Sequence, residues 1–268
     1  MDFVQNLFRV CLSVGWTAAV GVPLMVVLYA RYAVASVYRT VGRAELARER
    51  IDRNVVSIST AAQRYWAPVL SRLTRVRLHR IDRAPIDWTR THVICANHAS
   101  VFDIIALAGV VPIPFRFVAK RELLRWPVVG WVLPPAGQIV IDRSDTAAAI
   151  AAIESAKRDG LHGQILFFVE GTRTRDGRLL PFKKGAFRFA LENDLPLLPT
   201  AICGSYGVLG RTLWWRMKTG RDIRVVLGKP IDPAGIAPGE EMPVRVAAAM
   251  EAVRAAIAAE VDADQRTA

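Results

Sequence analysis

The sequence is short of cysteine and of acid. Its 268 residues include three cysteines, Cys11, Cys95 and Cys203. They are far apart and lie in apolar surroundings, so they offer neither a metal-ligand spacing nor a redox pair, and a reducing compartment is the simple inference. Asp and Glu total 24 against 36 Lys and Arg, a net charge of +12, with an isoelectric point near 10.3. That balance favours an anionic partner: nucleic acid, anionic lipid or a phosphorylated substrate. Nucleic acid is the weakest of the three, because the cations are scattered and no recognition motif accompanies them. Repeats and low-complexity tracts are absent, and only residues 262–268 read as a tail. There is no Gly-x-Ser-x-Gly elbow; Cys203-Gly204-Ser205-Tyr206-Gly207 comes nearest and lacks the first glycine. This counts against a serine hydrolase, although Ser100 lies close to His98.

Apolar residues are abundant. They make up 52% of the chain, and the mean hydropathy of +0.24 is high for a soluble enzyme. The first 38 residues hold much of the excess. Residues 10–30 carry no charge and are bracketed by Arg9 and Arg31. At 1.5 Å per residue, this run suffices to cross a hydrocarbon core of roughly 30 Å. The Met-Asp-Phe start and the length of the run favour a retained membrane segment over a cleaved signal. Pro23 divides it, which allows a kinked or re-entrant helix. Arg31, Arg39, Arg43, Arg48, Arg50 and Arg53 follow. The positive-inside rule puts this flank, and the chain after it, on the cytoplasmic face of the membrane (the inner membrane, if the source is bacterial). Residues 44–73 read as helical from apolar positions three and four apart, with a break at Ala67-Pro68. This stretch either lies on an anionic membrane face or packs on the following domain.

Seven short apolar or alternating runs read as strands, at 76–81, 92–96, 115–119, 138–141, 164–169, 197–202 and 223–227. Helical patterns alternate with most of them, at 101–109, 146–157, 184–192 and 243–261. The expected fold class is α/β: a central mixed, largely buried sheet flanked by helices, preceded by an N-terminal membrane-anchoring helical segment. Pro199 within a strand predicts an edge or a bend.

Two strand-end loops carry the chemistry. In Asn97-His98-Ala99-Ser100-Val101-Phe102-Asp103, a buried-looking strand gives way to a helix, the kind of junction where α/β sheets bind ligands. His98 in the loop can take a proton from an alcohol and return it to a leaving thiolate. Asp103 in the first helical turn can orient the ring. Equally, Ser100-Val101-Phe102-Asp103 fits the capping-box template, which makes Asp103 structural. After the apolar run 165–169 comes Glu170-Gly171-Thr172-Arg173. Gly171 permits tight geometry. Arg173 offers a planar fork for phosphate. Glu170, at the end of an apolar strand, needs backbone amides or a cation as partners. Asp176-Gly177 signals a turn. Lys120, just past another strand, is a further candidate phosphate ligand, and Lys183 and Lys184 either add positive potential or are simply solvated.

Taken together and in order, these pieces resemble the glycerolipid acyltransferase family of 1-acyl-sn-glycerol-3-phosphate acyltransferase type. Asn97, His98 and Asp103 match its Asn-His-x-x-x-x-Asp motif. Phe117 and Lys120 match an aromatic followed by a basic residue. Glu170 to Arg173 match Glu-Gly-Thr-Arg without change, and Leu198-Pro199 matches a short apolar-Pro element loosely. The similarity covers roughly residues 76–230. The resemblance implies catalysis by His98 and Asp103, and substrate binding by Lys120, Glu170, Gly171, Thr172 and Arg173, with no metal and no bound cofactor. It implies acyl-CoA or acyl carrier protein as donor and lysophosphatidic acid, or a similar lysolipid such as a lyso-ornithine lipid, as acceptor, at an anionic membrane. The implied division is 1–74 for N-terminal membrane-associated helices and 75–268 for an acyltransferase catalytic domain.

Overall fold

The computed structural model describes residues 65, 67–125, 130, 138–141, 164–210 and 216–267, with residues 8, 9, 11, 12, 15, 16, 19, 26 and 30 near the N-terminus. Most of the uncharged run at 10–30, most of the helix expected at 44–73 and all of that at 146–157 lie outside the described residues. Residues 67–74 are helical, and the helix ends at Arg75 with φ 55°.

The strands are β1 (Arg77–Asp82), β2 (Val93–Ala96), β3 (Phe115–Lys120), β4 (Ile139–Ile141), β5 (Gln164–Phe168), β6 (Leu197–Cys203) and β7 (Asp222–Leu227). The helices are α1 (Phe102–Val110), α2 (Gly185–Glu192), α3 (Ser205–Leu209) and α4 (Met242–Thr267). One seven-stranded sheet runs in the order β1-β7-β6-β2-β5-β3-β4. All its neighbours are parallel except β6 and β7. The fold is therefore a mixed α/β sheet flanked by helices, as the alternation of patterns predicts.

Every residue of β2 and of β6 is buried, because helices cover both faces of the sheet centre. Side-chain alternation divides the core in two. Val93, Cys95, Ile165, Phe167 and Leu197 pack with α2 and α4. Ile94, Ala96, Leu166 and Leu198 pack with α1 through Phe102, Ile105 and Leu107. The stripe on α4 is Val246, Ala249, Val253, Ile257 and Val261, a helical spacing that keeps one side against the sheet.

Two expectations need correction. The tail expected from Asp262 is helical through Thr267, because Asp264 pairs with Arg224 at 2.6 Å and Gln265 donates to the Gly177 carbonyl at 3.1 Å. Pro199 stands in an interior strand, not at an edge. Its nitrogen faces the β7 side of β6, where the last ladder pair is Thr200 with Leu227 and pairing resumes only at Leu197 with Ile231. The missing N–H falls in that gap, and the Pro199 carbonyl accepts from Gly228 at 2.8 Å.

The β2–β5 register sets up the site. Ala96 lies beside Phe168, and both strands end there. The two loops singled out in the sequence therefore leave the same edge of the sheet side by side.

Candidate active site

The loop after β2 is pinned from its first residue. Asn97 accepts from the Ile202 amide at 2.7 Å and donates to the Ile202 carbonyl at 3.0 Å, tying the end of β2 to β6. His98 follows outside the helix, and Asp103 is the second residue of α1, fully buried. That placement brings together side chains that would diverge on one helix. The Asp103 Oδ2 accepts from His98 Nδ1 at 2.8 Å, from the Ala99 amide at 2.7 Å and from the Ser100 amide at 2.8 Å. Ser100 Oγ accepts from the Phe102 amide at 3.1 Å, so the side chain of Asp103 makes its half of the expected capping box while the hydroxyl bonds one residue short of the other half. One oxygen thus meets the helix-end amides and orients His98, and its three donors offset part of the cost of burying the carboxylate, whose Oδ1 has no hydrogen-bond partner. With Asp103 as its acceptor, Nδ1 carries the proton and Nε2 is the basic nitrogen of the ring. The His98 side chain keeps 17% of its surface exposed, against 0% for Asp103.

The second loop holds the backbone of the first. Glu170 is buried, and its Oε1 accepts from the His98 amide at 2.8 Å while its Oε2 accepts from the Leu180 amide at 2.8 Å. The Thr174 amide donates to the His98 carbonyl at 2.9 Å. His98 is thereby gripped on both sides of its α-carbon. Gly171, at φ 73°, makes the turn that permits this. Burial pushes the Glu170 carboxyl up to about 7, against the pull of its two amide partners. Glu170 thus meets backbone amides, with both oxygens engaged in holding the loop.

Thr172 is exposed and Arg173 half-buried in the same loop. Lys120 ends β3, which is separated from β2 by β5 alone. Two strand spacings, roughly 10 Å, therefore separate β3 from β2 on the same sheet edge. Lys183 and Lys184 are exposed just before α2. Among the described residues no group of His, Cys, Asp and Glu could hold a metal ion.

Several residues of the site carried little or no local signal. The Ser100 hydroxyl donates to the Leu209 carbonyl at 2.6 Å and is fully buried, which removes it as a nucleophile. Tyr206, on α3, donates its hydroxyl to the Arg175 carbonyl at 2.8 Å. Its ring crosses Gly210 so closely that a β-carbon there would stand 2.8 Å from it. Arg254 on α4 donates to the Leu180 carbonyl at 3.1 Å, backing the residue whose amide binds Glu170. Phe168 stacks on the His98 ring. Ser100 left a trace in the sequence as the start of the capping-box template, and Phe168 as the aromatic two residues before Glu170.

Fold and site together define an α/β domain in which a buried aspartate orients a partly exposed histidine at the carboxyl edge of a sheet. Residues 75–203 match the family model described as Acyltransferase. A 1-acyl-sn-glycerol-3-phosphate acyltransferase of Limnanthes douglasii is 40% identical over 131 residues, 48% of this chain and 44% of that protein. One from Cocos nucifera is 37% identical over 143 residues, 53% of this chain and 44% of that protein. The matches thus span under half the length of these curated relatives. The crystal structure of the 1-acyl-sn-glycerophosphate (LPA) acyltransferase PlsC from Thermotoga maritima superposes with a TM-score of 0.59 at 25% identity, covering 95% of this chain and 97% of that one.

Proposed function

We propose that this protein transfers a fatty acyl group from a thioester donor to the sn-2 hydroxyl of 1-acyl-glycerol-3-phosphate, giving phosphatidic acid for phospholipid synthesis. The observation that carries the reading is the 2.8 Å bond from His98 Nδ1 to Asp103, which leaves Nε2 as a base at a partly open position. The names of the relatives supply the acceptor. His98 Nε2 removes the proton from the acceptor hydroxyl, and the resulting oxygen attacks the thioester carbonyl. The carbon–sulfur bond breaks, and the departing thiolate takes the proton from His98. Arg173 and Lys120 hold the acceptor phosphate, and this positioning supplies much of the rate. Glu170, Gly171 and Thr172 shape the loop that presents Arg173. The chemistry needs no resident metal or cofactor. The donor is acyl-CoA or acyl carrier protein.

The same reading places the enzyme at the cytoplasmic face of an anionic membrane. Residues 1–74 form its membrane-associated part and 75–268 its catalytic domain, with the uncharged run 10–30 as the anchor. Among the described residues no helix is long and apolar enough to cross a membrane. Support for the anchor therefore comes from the sequence: the length of the run and the arginines after it.

The test is an acyl-transfer assay in detergent, with wild type and His98→Ala, several lysolipids including a lyso-ornithine lipid, and both donors. Label should pass to lysophosphatidic acid with wild type and not with the variant. Equal transfer by both proteins would refute the base assignment. Label released as free fatty acid without acceptor would make the protein a thioesterase instead.

A further inference from the structure

A single hydrogen bond through Nδ1 leaves an imidazole free to rock about that nitrogen, and with it the direction of Nε2. In this site a second contact removes that freedom. The rings of Phe168 and His98 lie face to face, with centroids 3.8 Å apart and planes 16° from parallel. Phe168 is the last residue of β5 and sits in register with Ala96, the last residue of β2. Alternation along β5 sends Phe167 into the cluster under α2 and α4, and Phe168 to the α1 side. Ala96, at the matching position, adds only a methyl group beside it. The loop carrying His98 then folds back over the aromatic ring, held by Asp103 at Nδ1 and by Glu170 at the His98 amide.

We propose that Phe168 is a positioning residue for the acyl transfer: its ring fixes the plane of the His98 imidazole and so aims Nε2 at the acceptor hydroxyl. The proposal rests on the reading of His98 as the base and adds a requirement for a flat aromatic partner. Asp103 sets which nitrogen is basic; Phe168 sets where that nitrogen points. The aromatic face has a second effect. Once Nε2 has taken the hydroxyl proton, the ring is a cation lying on a π surface, which attracts it more than an aliphatic side chain of similar volume would. Phe168 itself exchanges no proton and no electrons. The proton passes from the hydroxyl to Nε2 and on to the departing thiolate.

The experiment compares steady-state kinetics of the full chain in detergent, with lysophosphatidic acid and acyl-CoA, for wild type, Phe168→Leu, Phe168→Tyr and His98→Ala. Leucine keeps apolar bulk and loses the plane; tyrosine keeps the plane. Phe168→Leu should lower kcat by about ten- to a hundredfold, the scale of a misaimed catalytic group. KM for both substrates should stay near the wild-type value, because the contact matters in the transition state and not in binding. Phe168→Tyr should restore most of kcat. A Phe168→Leu enzyme with wild-type kcat, or a Phe168→Tyr enzyme as slow as the leucine variant, would overturn the proposal. Proton NMR of the wild-type chain gives a readout independent of variant folding. The His98 Cε1–H resonance, assigned by its loss in His98→Ala, should be displaced upfield by the stacked ring, and an undisplaced resonance would overturn the proposal as well. An active His98→Ala would instead refute the base assignment itself. A fully active Phe168→Leu beside an inactive His98→Ala would remove only the role given to the ring.

Discussion

A histidine flanks each end of β2, and the two are held in nearly the same way. His92, before the strand, donates its amide to Gln164 Oε1 at 2.7 Å and places Nδ1 3.0 Å from the same oxygen. His98, after it, donates its amide to Glu170 Oε1 at 2.8 Å and places Nδ1 2.8 Å from Asp103 Oδ2. Gln164 and Glu170 thereby tie the two ends of β2 to β5 and the loop after it. The difference is the charge of what Nδ1 meets. Gln164 is neutral and favours an imidazolium only through its hydrogen bond; burial outweighs that pull and holds His92 below its ordinary range, and the residue is 2% exposed. Asp103 is a carboxylate, and His98 keeps an open side. One histidine is built to stay neutral and hold a strand. The other has the carboxylate partner and the open side that the proposed proton transfer needs.

Exchanging the roles is the strongest way to break this comparison. His98→Ala should lower kcat by roughly 10²–10⁴-fold, the usual worth of a general base, with little change in thermal stability. His92→Ala should keep activity and lose about 1 kcal/mol of stability in chemical denaturation, because the buried ring loses its bond to Gln164 while Gln164 keeps the residue-92 amide and the Arg90 carbonyl. A smaller effect is expected at Glu170. Glu170→Gln preserves shape but turns a donor toward one of two amide donors. The His98 loop should loosen, and kcat should fall by about tenfold or more in the same assay.

Glu170 also gives a pH signature with a definite sign. Its carboxyl is raised to about 7 in the fold, so the folded protein holds a proton that the unfolded chain has lost above its ordinary range. Stability from this group is present at acid pH and declines as pH rises from about 4.5 to about 7, by on the order of 2 kcal/mol. Denaturation of wild type against Glu170→Gln across that range should show the decline in the wild type only. The smallest effect should come from Tyr206→Phe, which removes the hydroxyl bond to Arg175 and keeps the ring against Gly210. It should cost about 1 kcal/mol of stability and leave kcat nearly unchanged.

Much of the fold was legible because its signals are local. The apolar runs in β2, β5 and β6 sit between turn residues, and all seven strands fall within a residue or two of their expected places. The stripe from Val246 to Val261 shows its helical period directly. α3 was not expected: at five residues, with Gly204 before it and Gly210 after it, it is too short to display a period. Pro199 left an edge and a bend both open for a different reason, and only the edge is excluded. Whether a proline faces a neighbour or a gap depends on the partner strand, which the local sequence does not contain.

The site divides along the same line. His98 and Glu170 stand out just past the ends of apolar strands, and Asp103 as the lone acid in the first turn of the following helix. The contacts that hold them, from Asn97 to Ile202, Ser100 to Leu209 and Tyr206 to Arg175, join segments far apart in the chain and leave no local pattern. Even the question of whether Asp103 caps a helix or orients His98 dissolved only in three dimensions, where one oxygen does both.

Asp103 is therefore the residue on which the contrast between the two histidines turns. Asp103→Asn keeps the volume and makes the partner of His98 a neutral amide, as Gln164 is for His92. The most direct measurement is kcat for acyl transfer to lysophosphatidic acid by Asp103→Asn, with circular dichroism confirming the fold. A loss of about a hundredfold or more is predicted. A folded variant working within a few-fold of wild type would contradict the account.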